Sequence, residues 1–275
     1  MIAFPNCKIN LGLNIIRKRN DGYHDLETVF YPLMIKDCVE VIRHPSGDNH
    51  SPLIDFSYTG LKIEGNLEEN LCVKAYHLLK NDFPNLPAVQ LHLHKAIPMG
   101  AGLGGGSADG AFTLQLLNDK FNLGISQEHL IEYALQVGSD SPFFIINEPC
   151  FATGRGEVME KTGLSLSEYQ LVIINPRIHI STAWAFSQIT PNIPQKSIKE
   201  IIQQPIDSWK DVLVNDFESP VIYKHPAIGN IKQQLYNEGA TYVSMTGSGS
   251  TVFGLFKKDI KPSLSFHSSY FVQVL

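Results

Sequence analysis

Cysteine pairs, a surplus of positive charge, long apolar stretches and the lysine of the common triphosphate loop are all missing from this chain. Four cysteines occur in 275 residues, Cys7, Cys38, Cys72 and Cys150. None stands in a C-x-x-C pair or at zinc-ligand spacing, which excludes a disulfide framework or zinc module and predicts reduced core thiols. No apolar run reaches the roughly 20 residues of a membrane span. The start, MIAFPNCKINLGLN, has neither a long apolar core nor a small-residue cleavage site, so a cytoplasmic protein without a signal peptide is expected. With 22 Lys+Arg against 27 Asp+Glu the formal charge is −5. That argues against nucleic-acid binding through a general basic field, and leaves room for an anionic small ligand held by local donors.

The remaining composition, 43% hydrophobic and 18% charged, is that of a globular protein with a substantial core. CKINLGLNI alternates, with Ile9, Leu11, Leu13 and Ile15 on one face and Lys8, Asn10, Gly12 and Asn14 on the other. It is predicted as a strand. RKRNDGYHDL follows as a charged turn in which Asp21-Gly22 suits a hairpin. LETVFYPLMI and DCVEVIRH are further strands, and PSGDNHSP a loop. Leu71, Ala75 and Leu78-Leu79 have helical spacing, and AVQLHLHKAIP alternates again. Ala111, Leu114, Leu117 and Phe121 mark a second helix, and Ser126 caps a third that ends at Gly138. PFFIIN and CFATGRGEVME are predicted strands, the latter turning at Gly154 to Gly156.

A composition shift falls near residues 163 to 168. YQLVIINP then restarts as a buried strand, followed by a proline-spaced segment from Pro176 to Pro194. SIKEIIQQ and AIGNIKQQLYNEG carry helical patterns, and TYVSMTGSGSTVFGLF reads strand–turn–strand. Two α+β halves are expected, residues 1–164 and 165–275. There is no internal repeat.

The densest signal is AIPMGAGLGGGSADG, residues 96 to 110. A strand, a glycine-rich loop and a helix start together form an anion site, because unpaired amides and the positive end of the helix dipole face the loop. Small residues let phosphate oxygens reach those amides, and Ser107 adds a hydroxyl. The pattern GxxxxGK[ST] is absent, since no Lys-Ser or Lys-Thr closes the run. Gly100, Gly102 and Gly105 fit GxGxxG, but a dinucleotide fold places that motif in its first βαβ unit with an acidic residue about 20 positions on. Here it follows several strands, and Asp119 falls inside helical spacing.

PMGAGLGGGSADG resembles the phosphate-binding motif of the GHMP kinases, named for galactokinase, homoserine, mevalonate and phosphomevalonate kinases. KINLGLNI and MTGSGSTVFGLF fit the same family. KINLGLNI, RNDGYHDLETVF, EENL and GSDSPFF follow in that order, with DGYH most discriminating, and resemble the branch whose acceptor is a cytidine diphosphate ester. The likeness covers nearly the whole chain. Met99 and Gly110 depart where members vary, and the chain is short after Phe256.

The resemblance implies an α+β, two-domain fold: an N-terminal mixed α/β domain bearing the phosphate loop and a C-terminal ferredoxin-like α+β domain. It implies ATP and Mg²⁺ as cofactors, small-molecule substrates without nucleic-acid or membrane partners, and a monomer or homodimer. Pro98, Met99, Gly100, Ala101, Gly102, Leu103, Gly104, Gly105, Gly106, Ser107 and Ala108 form the implied ATP cradle. Lys8 and Asp140 are the implied catalytic residues, and Asn10, Tyr23, His24 and Phe186 bind the acceptor, with Trp184 competing for the role of Phe186. Asn70 is placed near the adenine.

Phosphoryl transfer to an alcohol needs a cradle for the donor's phosphates, a divalent metal, an in-line hydroxyl and a group to take or orient its proton. Asp140, on a short turn, suits the last task. An ammonium at Lys8 would stabilise charge on the attacking oxygen, although an outward lysine on a strand is by itself ordinary. Tyr23 and His24 offer a stacking face and a hydrogen-bonding edge from one turn, or simple surface packing. No carboxylate stands out as a metal ligand. His92 and His94 share a strand face without a third partner. The TGSGST turn is either a second glycine-rich wall or a plain hairpin. A homoserine- or mevalonate-type kinase would need the cradle and Asp140 but not Tyr23 and His24. A non-catalytic nucleotide or sugar sensor would need neither Lys8 nor Asp140.

Overall fold

The computed structural model describes residues 1–45 and 53–275. Apart from Pro45, the loop expected at PSGDNHSP lies outside the described residues. The strands are β1 (Ile2–Ala3), β2 (Asn6–Lys18), β3 (His24–Lys36), β4 (Cys38–Arg43), β5 (Ile54–Gly60) and β6 (Val89–Lys95). Then come β7 (Cys150–Thr153), β8 (Val158–Lys161), β9 (Tyr169–Asn175), β10 (Tyr242–Met245), β11 (Val252–Lys257) and β12 (Phe271–Val274). The α-helices are α1 (Leu71–Asp82), α2 (Gly105–Phe121), α3 (Gln127–Val137) and α4 (Ser141–Ile146). They continue with α5 (Thr182–Ser187), α6 (Ile198–Ile201), α7 (Glu218–Lys224) and α8 (Pro226–Asn237). None is long and apolar enough to cross a membrane.

Two compact units form from interleaved segments, the first from residues 1–7, 33–99 and 104–147, the second from 8–32, 100–103 and 148–275. The first holds a sheet in the order β1-β4-β6-β5, antiparallel except for the parallel β5–β6 pair. Helix α2 packs on α1, α4 and β4. Its Leu114 and Leu117 are fully buried, as the spacing predicts, and burial of each contributes about 1.5–3 kcal/mol. Gly110 lets the neighbouring helices approach: a Cβ there would stand 2.7 Å from Val137 Cγ1 and 3.0 Å from Leu71 Cβ. Asn70 caps α1, its Oδ1 accepting from the Cys72 amide at 2.9 Å. Ser126 caps α3, which ends at Gly138.

PFFIIN is not the expected strand but most of α4, running into its C-cap Asn147. The run lacks alternation because Phe143, Phe144 and Ile145 are all buried. Asp140 at the N-cap and Pro142 in the first turn start the helix, and Asn147, left-handed at φ 53°, stops it.

The second unit contains two antiparallel sheets, ordered β2-β3-β7-β8 and β10-β11-β9-β12. Leu13 and Ile15 of β2 enter a core with Val172, Ile174, Val243 and Val252 and with Ile228, Ile231 and Leu235 of α8. The opposite face of β2 is covered as well: Lys8 is 3% and Asn10 2% exposed. Polar side chains at such depth need hydrogen-bond partners, and β2 owes its functional interest to them.

Candidate active site

The glycine run is built by alternation. Gly100, Gly102 and Gly104 have φ of 62°, 79° and 70°, conformations that glycine adopts without strain. Ala101 and Leu103 between them are buried. In the second unit this half of the run is pinned from both sides. The Lys8 amide donates to Leu103 O at 2.9 Å and the Thr251 amide to Ala101 O at 3.3 Å.

A network centred on β2 fixes the Lys8 ammonium. Its Nζ donates to Asn10 Oδ1 at 2.6 Å and to Gly102 O at 3.1 Å, and lies 5.2 Å from the Phe30 ring centroid. Asn10 is tied in turn, its Nδ2 donating to Thr28 Oγ1 at 3.0 Å and its backbone amide to Thr246 Oγ1 at 2.9 Å. Its polar atoms thus organise Lys8. The Thr246 hydroxyl also stands 3.1 Å from Gly102 O and 3.2 Å from Asn10 Oδ1, to either of which it can donate.

The TGSGST turn joins β10 to β11 as a hairpin, and it also backs the glycine run. A Cβ on Gly102 would fall 2.1 Å from Thr246 O. Asn215 holds that turn by donating Nδ2 to Met245 O at 2.8 Å and to Gly247 O at 2.9 Å. Thr246 opens the TGSGST turn singled out in the sequence, though its partners do not show there, and Asn215 is marked only by the polar run NDFE.

In the first unit the run continues into α2. Gly104 is its N-cap without a side-chain cap bond, so the amides of Gly105, Gly106 and Ser107 enter the helix with no intrahelical acceptor. The Gly138–Ser141 turn lies beside Ser107: a Cβ on Gly138 would stand 3.0 Å from Ser141 Oγ and 3.4 Å from Ser107 Oγ. Ser141 Oγ is buried without a hydrogen-bond partner among the described residues. Asp140 sits on this turn, at the N-cap of α4. Pro98 and Met99 lead into the run, Met99 half-exposed.

His24 and Phe186 meet in the second unit, their rings stacked at 4.9 Å and 25°. Phe186 is braced edge-on by Phe217 at 4.9 Å. Tyr23 is 53% exposed, and the Arg155 guanidinium lies 4.8 Å from its centroid. Burial, helped by the charge of Lys18, lowers the His24 pKa below its ordinary value. The neutral imidazole offers one donor and one acceptor. Trp184 instead lies under Lys224 Nζ at 3.9 Å.

His92 and His94 bond to Ser57 and Thr59 on the exposed face of β5–β6. Among the described residues no group of three or more His, Cys, Asp or Glu could hold a metal. A cavity of about 480 Å³ runs along β2 and β3 past Arg17, Asp25 and Glu27. Neither Lys8, His24 nor the glycine run lines it, so volume alone does not locate this chemistry.

Family models described as "GHMP kinases N terminal domain" and "GHMP kinases C terminal" match residues 70–148 and 197–263. The chain is 51% identical to the 4-diphosphocytidyl-2-C-methyl-D-erythritol kinase of Bacteroides thetaiotaomicron, over 94% of this chain and 93% of that one. A crystal structure of 4-(cytidine 5'-diphospho)-2C-methyl-D-erythritol kinase superposes with a TM-score of 0.75 at 29% identity, covering 93% of this chain and 90% of the other. The mevalonate kinase of Methanococcus jannaschii shares the fold, with a TM-score of 0.69 at 13% identity and coverage of 100% and 96%. With both family models matched and half the residues of a full-length relative shared, the chain belongs to the GHMP kinases.

Proposed function

We propose that this protein is an ATP-dependent kinase that phosphorylates the 2-hydroxyl of 4-diphosphocytidyl-2-C-methyl-D-erythritol, giving the 2-phosphate and ADP. The reading places it in the cytoplasm, in the non-mevalonate route to isopentenyl diphosphate, without membrane or nucleic-acid partners. The observation that carries the acceptor assignment is the aromatic group at the start of β3, where His24 stacks on Phe186 and Tyr23 presents an exposed ring. A cytosine needs such a face and edge, and homoserine or mevalonate has no ring to place there.

In this reading the residues from Pro98 to Ala108 hold the triphosphate, with the α2 amides and the Ser107 hydroxyl donating to its oxygens. Asp140 takes or orients the proton of the 2-hydroxyl. Lys8, positioned by Asn10 and Gly102, offsets the negative charge that grows on the attacking oxygen. The oxygen–phosphorus bond forms as the bridge to the β-phosphate breaks, and ADP leaves with that electron pair. Mg²⁺ supplies charge neutralisation on the β- and γ-phosphates when bound. Ser141, whose buried hydroxyl has no partner among the described residues, presents a hard oxygen donor such an ion takes. We also keep a boundary near residue 165, which the two matched family segments flank.

The test is phosphate transfer from ATP to the cytidine ester, homoserine and mevalonate, in the wild type and in Tyr23→Ala. Turnover is expected with the cytidine ester alone. Tyr23→Ala should raise its KM about 10- to 100-fold, the worth of one lost stacking face, with the KM for ATP unchanged. Preference for homoserine or mevalonate would end the acceptor assignment. A Tyr23→Ala effect confined to ATP would reverse the division of the site.

A further inference from the structure

Beneath the first turn of α2 lies an ionic cluster that the reaction as described does not use. Lys95, at the end of β6, is 2% exposed, Asp37 between β3 and β4 1%, and Asp109 on α2 2%. Lys95 Nζ donates to Asp37 Oδ2 at 2.5 Å and to Asp109 Oδ2 at 2.7 Å. Asp37 spends its other oxygen on the amides of Ala96 and Ile97, at 2.6 and 2.8 Å. Those residues lead directly into Pro98 and the glycine run. The ammonium sits under the helix start itself: a Cβ on Gly105 would stand 3.0 Å from Lys95 Nζ and 2.8 Å from Ile97 Cγ2.

Resting on the reading that the α2 amides bind the donor's phosphates, we propose that Lys95, Asp37 and Asp109 position that binding site. Lys95 ties the α2 start to the end of β6, and the charge on Asp109 sets the field that the Gly105–Ser107 amides present to an anion. Lys95, Asp37 and Asp109 are positioning residues, acting through the backbone they hold.

The two carboxyls are not equivalent. Asp37 uses both oxygens, whereas Asp109 Oδ1 is buried with no partner among the described residues. Burial, reinforced by the neighbouring Asp37 and opposed by Lys95, pushes the Asp109 carboxyl up to about 8. Burial opposes the charge on Lys95, yet the two carboxyls outweigh it and raise its pKa. From α1 comes only the Cys72 thiol, kept neutral chiefly by burial and next by Asp109. Among the described residues the charges that bear most on Asp109 are those of Lys95 and Asp37. Burial and Asp37 thus favour the acid form of Asp109, against the pull of Lys95. When it ionises, a negative charge appears under a helix N-terminus that has to hold phosphate, and anion binding weakens.

The experiment measures ATP binding by calorimetry and thermal unfolding at about pH 7 and about pH 9 for the wild type, Asp109→Asn and Lys95→Met. The wild type should bind ATP about tenfold more weakly at the higher pH, and Asp109→Asn should lose that dependence. The folded state binds the extra proton, so wild-type stability should fall as pH rises towards about 8, and Asp109→Asn should flatten that slope too. Lys95→Met, folded as judged by its cooperative melt, should weaken ATP binding about 10- to 100-fold with the acceptor KM unchanged. Should Lys95→Met not fold, the pH slopes of Asp109→Asn decide. A wild type that binds no ATP overturns the phosphate reading itself. A wild type that binds it, with Asp109→Asn keeping the wild-type slope or folded Lys95→Met keeping wild-type affinity, overturns the positioning role alone.

Discussion

Replacing Asp140 by alanine is expected to lower kcat by about 10²–10⁴, the usual worth of a placed acid–base group, while the Kd for ATP stays within about threefold. The expectation follows from where the residue stands. Asp140 is the N-cap of α4 and makes no side-chain cap bond to it, so truncation does not remove a helix cap. Pro142 and the buried Phe143 and Phe144 anchor the turn from its C-terminal side. Gly138, beside Ser107, closes it from the other. The turn and α2 should survive the change, and the loss should fall on the acceptor's proton. Pre-steady-state rates and equilibrium ATP binding on the same preparation separate the two quantities. A variant that loses ATP affinity in proportion to its rate would move Asp140 to the donor side.

Gly102→Ala carries the second large effect, for a different physical reason. At φ 79° an L side chain is strained, costing about 1–2 kcal/mol. The new Cβ would also lie 2.1 Å from Thr246 O. That carbonyl cannot step aside cheaply, because it accepts the Gly249 amide at 3.1 Å while the Thr246 amide donates to Thr251 O at 2.9 Å. Overpacking of this kind costs about 1–3 kcal/mol. Together the two amount to about 3 kcal/mol, or a fall in Tm of about 6–12 °C for a chain of this size. Lys8 should suffer with it, since Gly102 O accepts from its ammonium. The control is Gly106→Ala, where a Cβ meets nothing within 4 Å and helix propensity favours alanine by about 1 kcal/mol. Equal melting of the two variants would contradict the close approach of the TGSGST turn to the run.

Periodicity and punctuation were enough for most elements. Strand β2, the Asp21-Gly22 turn, helix α3 from Ser126 to Gly138 and the β10–β11 hairpin all lie where spacing and capping residues put them. Helix α4, expected as a strand, shows what periodicity cannot resolve, and β5, α5, α7 and β12 have no counterpart among the expected elements. A short run buried all round has no polar face, so strand and helix share one pattern, and the deciding marks were Asp140, Pro142 and Asn147 at its ends.

The site was legible as residue types and less so as relations. Lys8 on an alternating strand is unremarkable until its surroundings appear, and Gly102, which accepts from it, and Thr246, which stands beside that same carbonyl, lie far along the chain. Lys95, Asp37 and Asp109 escaped notice for the same reason: each looks like an ordinary surface charge, and only the fold makes them neighbours. His24 and Phe186 were both picked out, but their direct stacking was not visible. Local chemistry writes itself into neighbouring letters, whereas pairing over long separations does not.

The claim that everything else depends on is that Lys8 and Asp140 act on a single hydroxyl. A double-mutant cycle on kcat, with Lys8→Met, Asp140→Asn and the pair, measures this most directly. The account predicts strong non-additivity, with the double variant about as slow as the slower single one. Losses that simply multiply would mean that the two residues serve separate steps, and the proposed mechanism would be wrong.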